Sequence, residues 1–239
     1  MIKTFKALSV LLTYPTVELQ QASGEISEAI DAGRMISASI RKQLHTLLAE
    51  LATGDIYDLQ ERYVLLFDRT RTLSLHMFEH VHGESRDRGQ AMIDLKAQYE
   101  NANLCMSAAE LPDFVPLFLE YLSMLPAPEA CDTLGQPAHI FAAMAERLRK
   151  RESSYEAVFR ALVALAAAKP KDDEVAALLT LPDPDATDLA ALDAAWADEP
   201  VNFGPGAGDG CKDGLMARVR GALRPAPDMP PATRTPPRQ

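Results

Sequence analysis

The stretch LPDFVPLFLEYLSML, residues 111–125, sets Phe114, Leu117, Phe118, Tyr121, Leu122 and Leu125 at the i, i+3, i+4, i+7 spacing of one helical face. The same period recurs on both sides of it. Upstream, Phe5, Leu8 and Leu12 recur at helical spacing over residues 2–13 until Pro15 closes the run. A longer pattern over about 27–51 carries Ile36, Ile40, Leu44, Leu47, Leu48 and Leu51, and Thr53-Gly54-Asp55 breaks and recaps the chain. Ile56, Leu59, Tyr63 and Phe67 repeat the pattern over 55–67, and Gly83 separates the apolar run 73–81 from a helix over about 87–102. Downstream, the spacing predicts helices over 137–151 (Phe141, Met144, Leu148) and 153–168 (Tyr155, Val158, Phe159, Leu162, Leu165). Alternating strand patterns and Asn-Gly hairpin signals do not occur, and no fixed-period repeat is present. The expected fold is all-α, a single irregular helical bundle.

Composition supports this reading and bounds the function. The chain of 239 residues is 47% hydrophobic and 24% charged, an ordinary globular balance able to bury a core. Its net charge of -10 opposes contact with phosphate backbones, so nucleic acid is not an expected partner. The three cysteines, Cys105, Cys131 and Cys211, lie far apart and form no disulfide framework or zinc motif. The apolar run 7–12 is too short for a signal peptide and lacks a cleavage site. No later segment reaches membrane-spanning length, so a cytoplasmic location is expected.

After Lys169-Pro170 the composition changes. Nine acids stand against one lysine in 171–200, and residues 200–239 hold eight prolines and six glycines. Such a segment buries too little apolar surface to offset ordering entropy. The expected organisation is a helical domain over 1–169, an acidic linker over 170–204 and a Pro/Gly/Arg-rich disordered tail over 205–239. Two apolar islands in the linker, 189–196 and 200–203, are candidates to dock onto the body.

One short motif has the look of chemistry. His76-Met77-Phe78-Glu79-His80 fits the H-x-x-E-H pattern of inverted zinc proteases, which on a helix would put both imidazoles on one face with Glu79 as base. No helix carrying a third ligand follows, so histidines near a helix end are the simpler reading and a zinc hydrolase the alternative. Nucleophile elbows and phosphate loops are absent from the sequence. The cluster Glu84-Ser85-Arg86-Asp87-Arg88 suits a salt-bridge knot with Glu79 or Glu84, or contact with a partner carboxylate.

At these residues a family resemblance emerges. YVLLFDRTRTLSLHMFEHVHGESRDRGQAM, residues 63–92, closely resembles the signature of NarJ-type nitrate reductase assembly chaperones, the delta-subunit group of the redox-enzyme maturation chaperones. ELPD at 110–113, FLEYL at 118–122, LLTYP at 11–15 and EPVNFG at 199–204 also fit, so the resemblance covers residues 1 to about 204. It implies a helical chaperone without catalytic turnover, holding no cofactor of its own. The implied partner is the N-terminal peptide of the nitrate reductase catalytic (alpha) subunit. The chaperone would keep that subunit competent for molybdenum cofactor insertion before membrane docking, and would not belong to the final enzyme; a chaperone of another molybdoenzyme is the alternative within this reading.

A peptide helix docks in an apolar trough with a charged rim. The candidates are Tyr63, Phe67, Leu75 and Phe78 on one wall and Leu117, Phe118 and Tyr121 on the other. Glu79 and Glu120 are candidates to meet a basic peptide residue, and Arg86 and Arg88 to meet a carboxylate. Tyr63 and Tyr121 suit a half-exposed wall best, because a phenol tolerates water at one end.

Overall fold

The computed structural model describes residues 2–33, 36–81, 86–106, 110–181, 183 and 188, apart from the side chains of Ile2, Arg86 and Asp87. Within these, the helices in chain order are α1 (Ile2–Leu11), α2 (Val17–Gln21), α3 (Ser23–Asp31), α4 (Ala38–Thr53), α5 (Ile56–Phe67) and α6 (Arg86–Asn101). They continue with α7 (Val115–Met124), α8 (Ala127–Gly135), α9 (Ala138–Lys150), α10 (Glu156–Leu165) and α11 (Asp172–Leu179). No strand occurs among the described residues, and a single antiparallel bridge joins His76 to Phe114. The all-α expectation therefore holds. The chain divides into Met1–Leu192 and Asp193–Gln239. The second unit, with the islands at 193–196 and 200–203 and the whole basic tail, lies outside the described residues, as do residues 189–192.

Helix α7 is deeply buried. Val115, Leu117, Phe118, Leu119, Tyr121 and Leu122 are all buried, so more than the expected single face is covered. α1 packs along one side of it and α8 along another. Each fully buried Leu or Phe contributes roughly 1.5–3 kcal/mol relative to exposure, which explains why the first quoted stretch organises the fold. α1 also meets α3, α4 lies between α3 and α10, and α9 packs against α10 and α11. The amino-terminal apolar run is part of this core: Phe5, Leu8, Leu11 and Leu12 are buried.

Local chemistry sets the helix boundaries. Thr16, Ser37 and Asp55 each accept a hydrogen bond from a first-turn amide, capping α2, α4 and α5. The pattern over 27–51 is two helices rather than one. The break falls at Gly33, where a Cβ would meet Thr4 Oγ1 at 2.7 Å, so the tight approach of α1 needs glycine there. α8 was hidden by Pro126, Pro128 and Gly135, residues that usually punctuate loops; at the first turn proline costs a helix nothing. A further difference concerns the acidic segment, whose first residues form α11 instead of a linker. Asp172, Asp173 and Glu174 occupy its first turn, where the helix dipole favours them. The buried Arg147 donates to the Leu178 carbonyl at 2.6 Å and to the Thr72 carbonyl at 2.9 Å, tying α11 to α9 and to residues 71–73.

Candidate functional site

Among the described residues between α5 and α6 the chain makes two 3₁₀ turns, Arg71–Leu73 and Met77–Glu79, and no α-helix. Without an α-helix, the backbone polar groups of residues 74–81 need partners elsewhere. Asp113, whose side chain is fully buried, partners two of the backbone amides and the His76 ring. Its Oδ2 accepts from the Phe78 amide at 3.1 Å, its Oδ1 accepts from His76 Nδ1 at 3.2 Å, and its own carbonyl accepts from the Met77 amide at 3.1 Å. The Val115 amide donates to the Leu75 carbonyl at 2.8 Å on the same seam. His80 Nε2 donates to the Ser74 carbonyl at 2.8 Å and closes the segment on itself.

These contacts set opposite proton affinities on the two imidazoles. The hydrogen bond to the Asp113 carboxylate raises His76 above the ordinary value of 6.5, against the opposing effect of burial. Burial lowers His80, outweighing its bond to Ser74. The helical H-x-x-E-H geometry is therefore corrected. His76 precedes a 3₁₀ turn, His80 follows it, and each ring nitrogen named above is already engaged. Among the described residues no group of three His, Cys, Asp or Glu side chains is arranged to hold a metal, while His82 and Cys211 lie outside them. Among the described residues the zinc hydrolase reading finds no set of ligands.

The clamped segment forms one wall of an apolar cleft of about 320 Å³. Met77, Phe78 and Val81 face Ala91, Asp94, Leu95 and Gln98 of α6, with Phe118 of α7 and Ile140 of α9 completing the floor. The α6 residues follow i, i+3, i+4, i+7, so one strip of that helix serves the cleft. Phe78 is half-buried and Val81 is 50% exposed, whereas Phe118 shows the cleft little more than an edge. Two larger hollows carry more charged side chains in their lining. One of about 580 Å³ is walled by Glu50, Arg62, Arg151 and Glu156, with Glu50 already holding Arg62 at 2.9 Å and Ser154 at 2.6 Å. The other, about 680 Å³, lies by Lys96, Glu100 and Glu110.

The residues expected from sequence to line a single groove divide into separate places. Phe78 and Phe118 meet at the cleft. Tyr63 and Phe67 do not: they pack on Tyr155 with ring centroids 6.5 and 5.1 Å away, and the Tyr63 hydroxyl donates to the Leu12 carbonyl at 2.8 Å. Burial pushes Tyr63 far above the usual phenol range and Tyr155 up to about 12. Tyr121 packs against Tyr99 with the rings tilted and their centroids 4.9 Å apart, and Leu75 and Leu117 are buried. Among the charged candidates, Glu79 pairs with Arg88 at 3.6 Å and Glu120 pairs with Lys6. The Arg86 side chain lies outside the described residues. Met77, Val81, Leu95, Gln98 and Ile140 are cleft residues that the sequence reading did not select, as is Asp113 behind it. A helical stripe gives no sign of which member reaches a cleft, and a single Asp in a loop carries no pattern.

Sequence comparison places this helical chain in a defined class: it belongs to the nitrate reductase delta subunit family, whose sequence model matches residues 34–161. Over 220 residues it is 44% identical to the nitrate reductase molybdenum cofactor assembly chaperone NarJ of Escherichia coli K12, covering 91% of this chain and 93% of that protein. It is 39% identical over 202 residues to a second protein of that strain, named "Probable nitrate reductase molybdenum cofactor assembly chaperone NarW", with 84% of each chain covered. A Bacillus subtilis relative, similarly described and also called NarJ, is 29% identical over 161 residues, 67% of this chain and 86% of its own.

Proposed function

We propose that this chain is an assembly chaperone for nitrate reductase, promoting molybdenum cofactor insertion into the catalytic subunit. Its membership of the delta subunit family and its 44% identity to the E. coli NarJ chaperone support this reading. In the finer reading, it acts in the cytoplasm and binds the N-terminal peptide of that subunit through the cleft between residues 77–81, α6 and α9. It has no catalytic turnover and leaves before the enzyme is complete.

The observation that carries the binding role is the cleft itself. Phe78 and Val81 present apolar surface on a segment fixed by a buried carboxylate, so the wall is organised before a ligand arrives. No helix among the described residues is long and apolar enough to cross a membrane. Titration calorimetry with a synthetic N-terminal segment of the catalytic subunit tests the reading. A 1:1 complex with a negative heat-capacity change is expected, because apolar surface is buried on association. No heat at several temperatures, and no change in heat capacity, would count decisively against it.

A further inference from the structure

Helix α11 lies outside the cleft lining, yet its anchorage runs into the cleft wall. None of its residues is buried; Val175, Leu178 and Leu179 are half-buried, and the helix packs chiefly on α9. Its firmest ties are polar. The buried Arg147 of α9 donates through Nη2 to the Leu178 carbonyl at 2.6 Å and through Nη1 to the Thr72 carbonyl at 2.9 Å. Just past the helix, Asp183 Oδ1 accepts from the Thr72 hydroxyl at 2.6 Å and from Arg151 Nη2 at 2.7 Å. Thr72 is thus held to this assembly through both its carbonyl and its hydroxyl. It stands in the 3₁₀ turn that opens the clamped segment. Two residues on, the Ser74 hydroxyl accepts from the His76 amide at 3.2 Å and the Ser74 carbonyl accepts from His80 Nε2 at 2.8 Å. Asp113 fixes the wall from the α7 side, and Arg147 with Asp183 fixes its start.

A buried guanidinium needs acceptors and a counter-charge. Burial disfavours the Arg147 charge, and Asp183 is the carboxylate that offsets this. If α11 leaves α9, Arg147 loses the Leu178 carbonyl and the Asp183 field together, and its hold on Thr72 weakens. We propose that α11 and Asp183 form a latch on the cleft wall: docked on α9 they keep residues 74–81 in the binding arrangement, and a partner segment in the cleft favours the docked state. This rests on the function proposed above and adds a regulation of that same site. A helix with no buried residue belongs to the least stable part of a fold, so the latch opens without unfolding the body. Linkage makes the coupling reciprocal: what docks α11 tightens the cleft, and what fills the cleft docks α11.

The test is amide hydrogen exchange on the full chain, alone and with a saturating synthetic N-terminal segment of the nitrate reductase catalytic subunit, binding being measured by calorimetry. In the complex, the amides of residues 175–180 should exchange about five-fold more slowly, the low end of coupling between sites. Asp183→Ala, a change outside the cleft lining, should act without any peptide. It should speed exchange at residues 175–180 and also at the Met77 and Phe78 amides, while the core helix α7 keeps its protection. The same variant should raise the peptide Kd about five-fold. Faster exchange confined to residues 175–180, or an unchanged Kd, overturns the latch and leaves the chaperone reading in place. An equal rise in α7 would make Asp183 a general stabilising residue and overturn it as well. Peptide that binds but speeds exchange in α11 reverses the sign and overturns the proposal. No binding to the parent protein, seen as absent heat, removes the proposed function and the latch with it.

Discussion

Two pairs of aromatic side chains, Tyr63 with Phe67 and Phe78 with Phe118, come from neighbouring parts of one sequence motif and its following helix, yet they do different things. Tyr63 and Phe67 stand on a regular helix and have their rings edge-on to each other and to Tyr155. The Tyr63 hydroxyl is satisfied by the Leu12 carbonyl across the core. Phe78 stands on a 3₁₀ turn, fixed through its backbone amide by Asp113, and lines a cleft with Phe118 behind it. An aromatic side chain whose ring and polar handle are both used inside the core reports on folding. In the function proposed above, one positioned by its backbone at the edge of a cleft reports on binding.

That contrast can be broken by substitution. The largest effect is expected for Phe67→Ala, which should cost about 3–5 kcal/mol of unfolding free energy, as large-to-small changes in a packed core do. Its peptide affinity, measured well below the melting temperature, should be unchanged. If affinity falls in step with stability, the two regions are not separable. Next comes Asp113→Ala, which leaves the Phe78 amide and His76 without their acceptor; a loss of about 1–3 kcal/mol is expected in urea denaturation. Because Asp113 holds the cleft wall, this variant should also lose peptide affinity, which the Phe67 variant should not.

Phe78→Ala should invert the pattern. A half-buried ring costs the fold roughly 1 kcal/mol, while the peptide Kd should rise about ten-fold, equivalent to about 1.4 kcal/mol. Equal affinity for the variant and the parent protein would move the binding site away from this cleft. The smallest effect is the pH dependence of the clamp. His76 is raised above 6.5 by Asp113, so its contribution to stability is fully present below that value and is lost as pH rises through the raised one. The stability gap between the parent protein and His76→Gln should therefore be widest in mild acid and close in alkali. His80, lowered by burial, acts with the opposite sign: its contribution is present above 6.5 and fades as pH falls through the lowered value. A gap that widens with rising pH would mean that His76 is not held by Asp113.

Much of the fold was legible in the residues, and the reasons are local. Helical periodicity identified α1, α5, α7, α9 and α10, because a one-sided apolar stripe is a property of the sequence and of 3.6 residues per turn alone. Ser37 and Asp55 cap α4 and α5 through oxygens within three residues of the amides they bind. The family, too, was readable, since residues 63–92 carry their signature in order and spacing. Where the reading went astray, the deciding partner was distant. The chain between α3 and α4 passes Gly33, against which the distant Thr4 lies, and α11 is tied down by Arg147, whose own side chain is buried.

The site follows the same rule. By itself, the sequence determined that this chain is helical, which family it joins and which side chains are apolar at helical spacing. Only the tertiary structure decided that Tyr63 and Phe67 belong to the core while Phe78 lines a cleft, and that Glu79 and Glu120 are spent on Arg88 and Lys6. It also decided that His76 answers to Asp113, 37 residues away, and not to His80 in the same motif. Periodicity fixes which residues share a face. Which face is sealed, and which is left open between two elements, depends on contacts between residues far apart in the chain, and no short-range pattern encodes them.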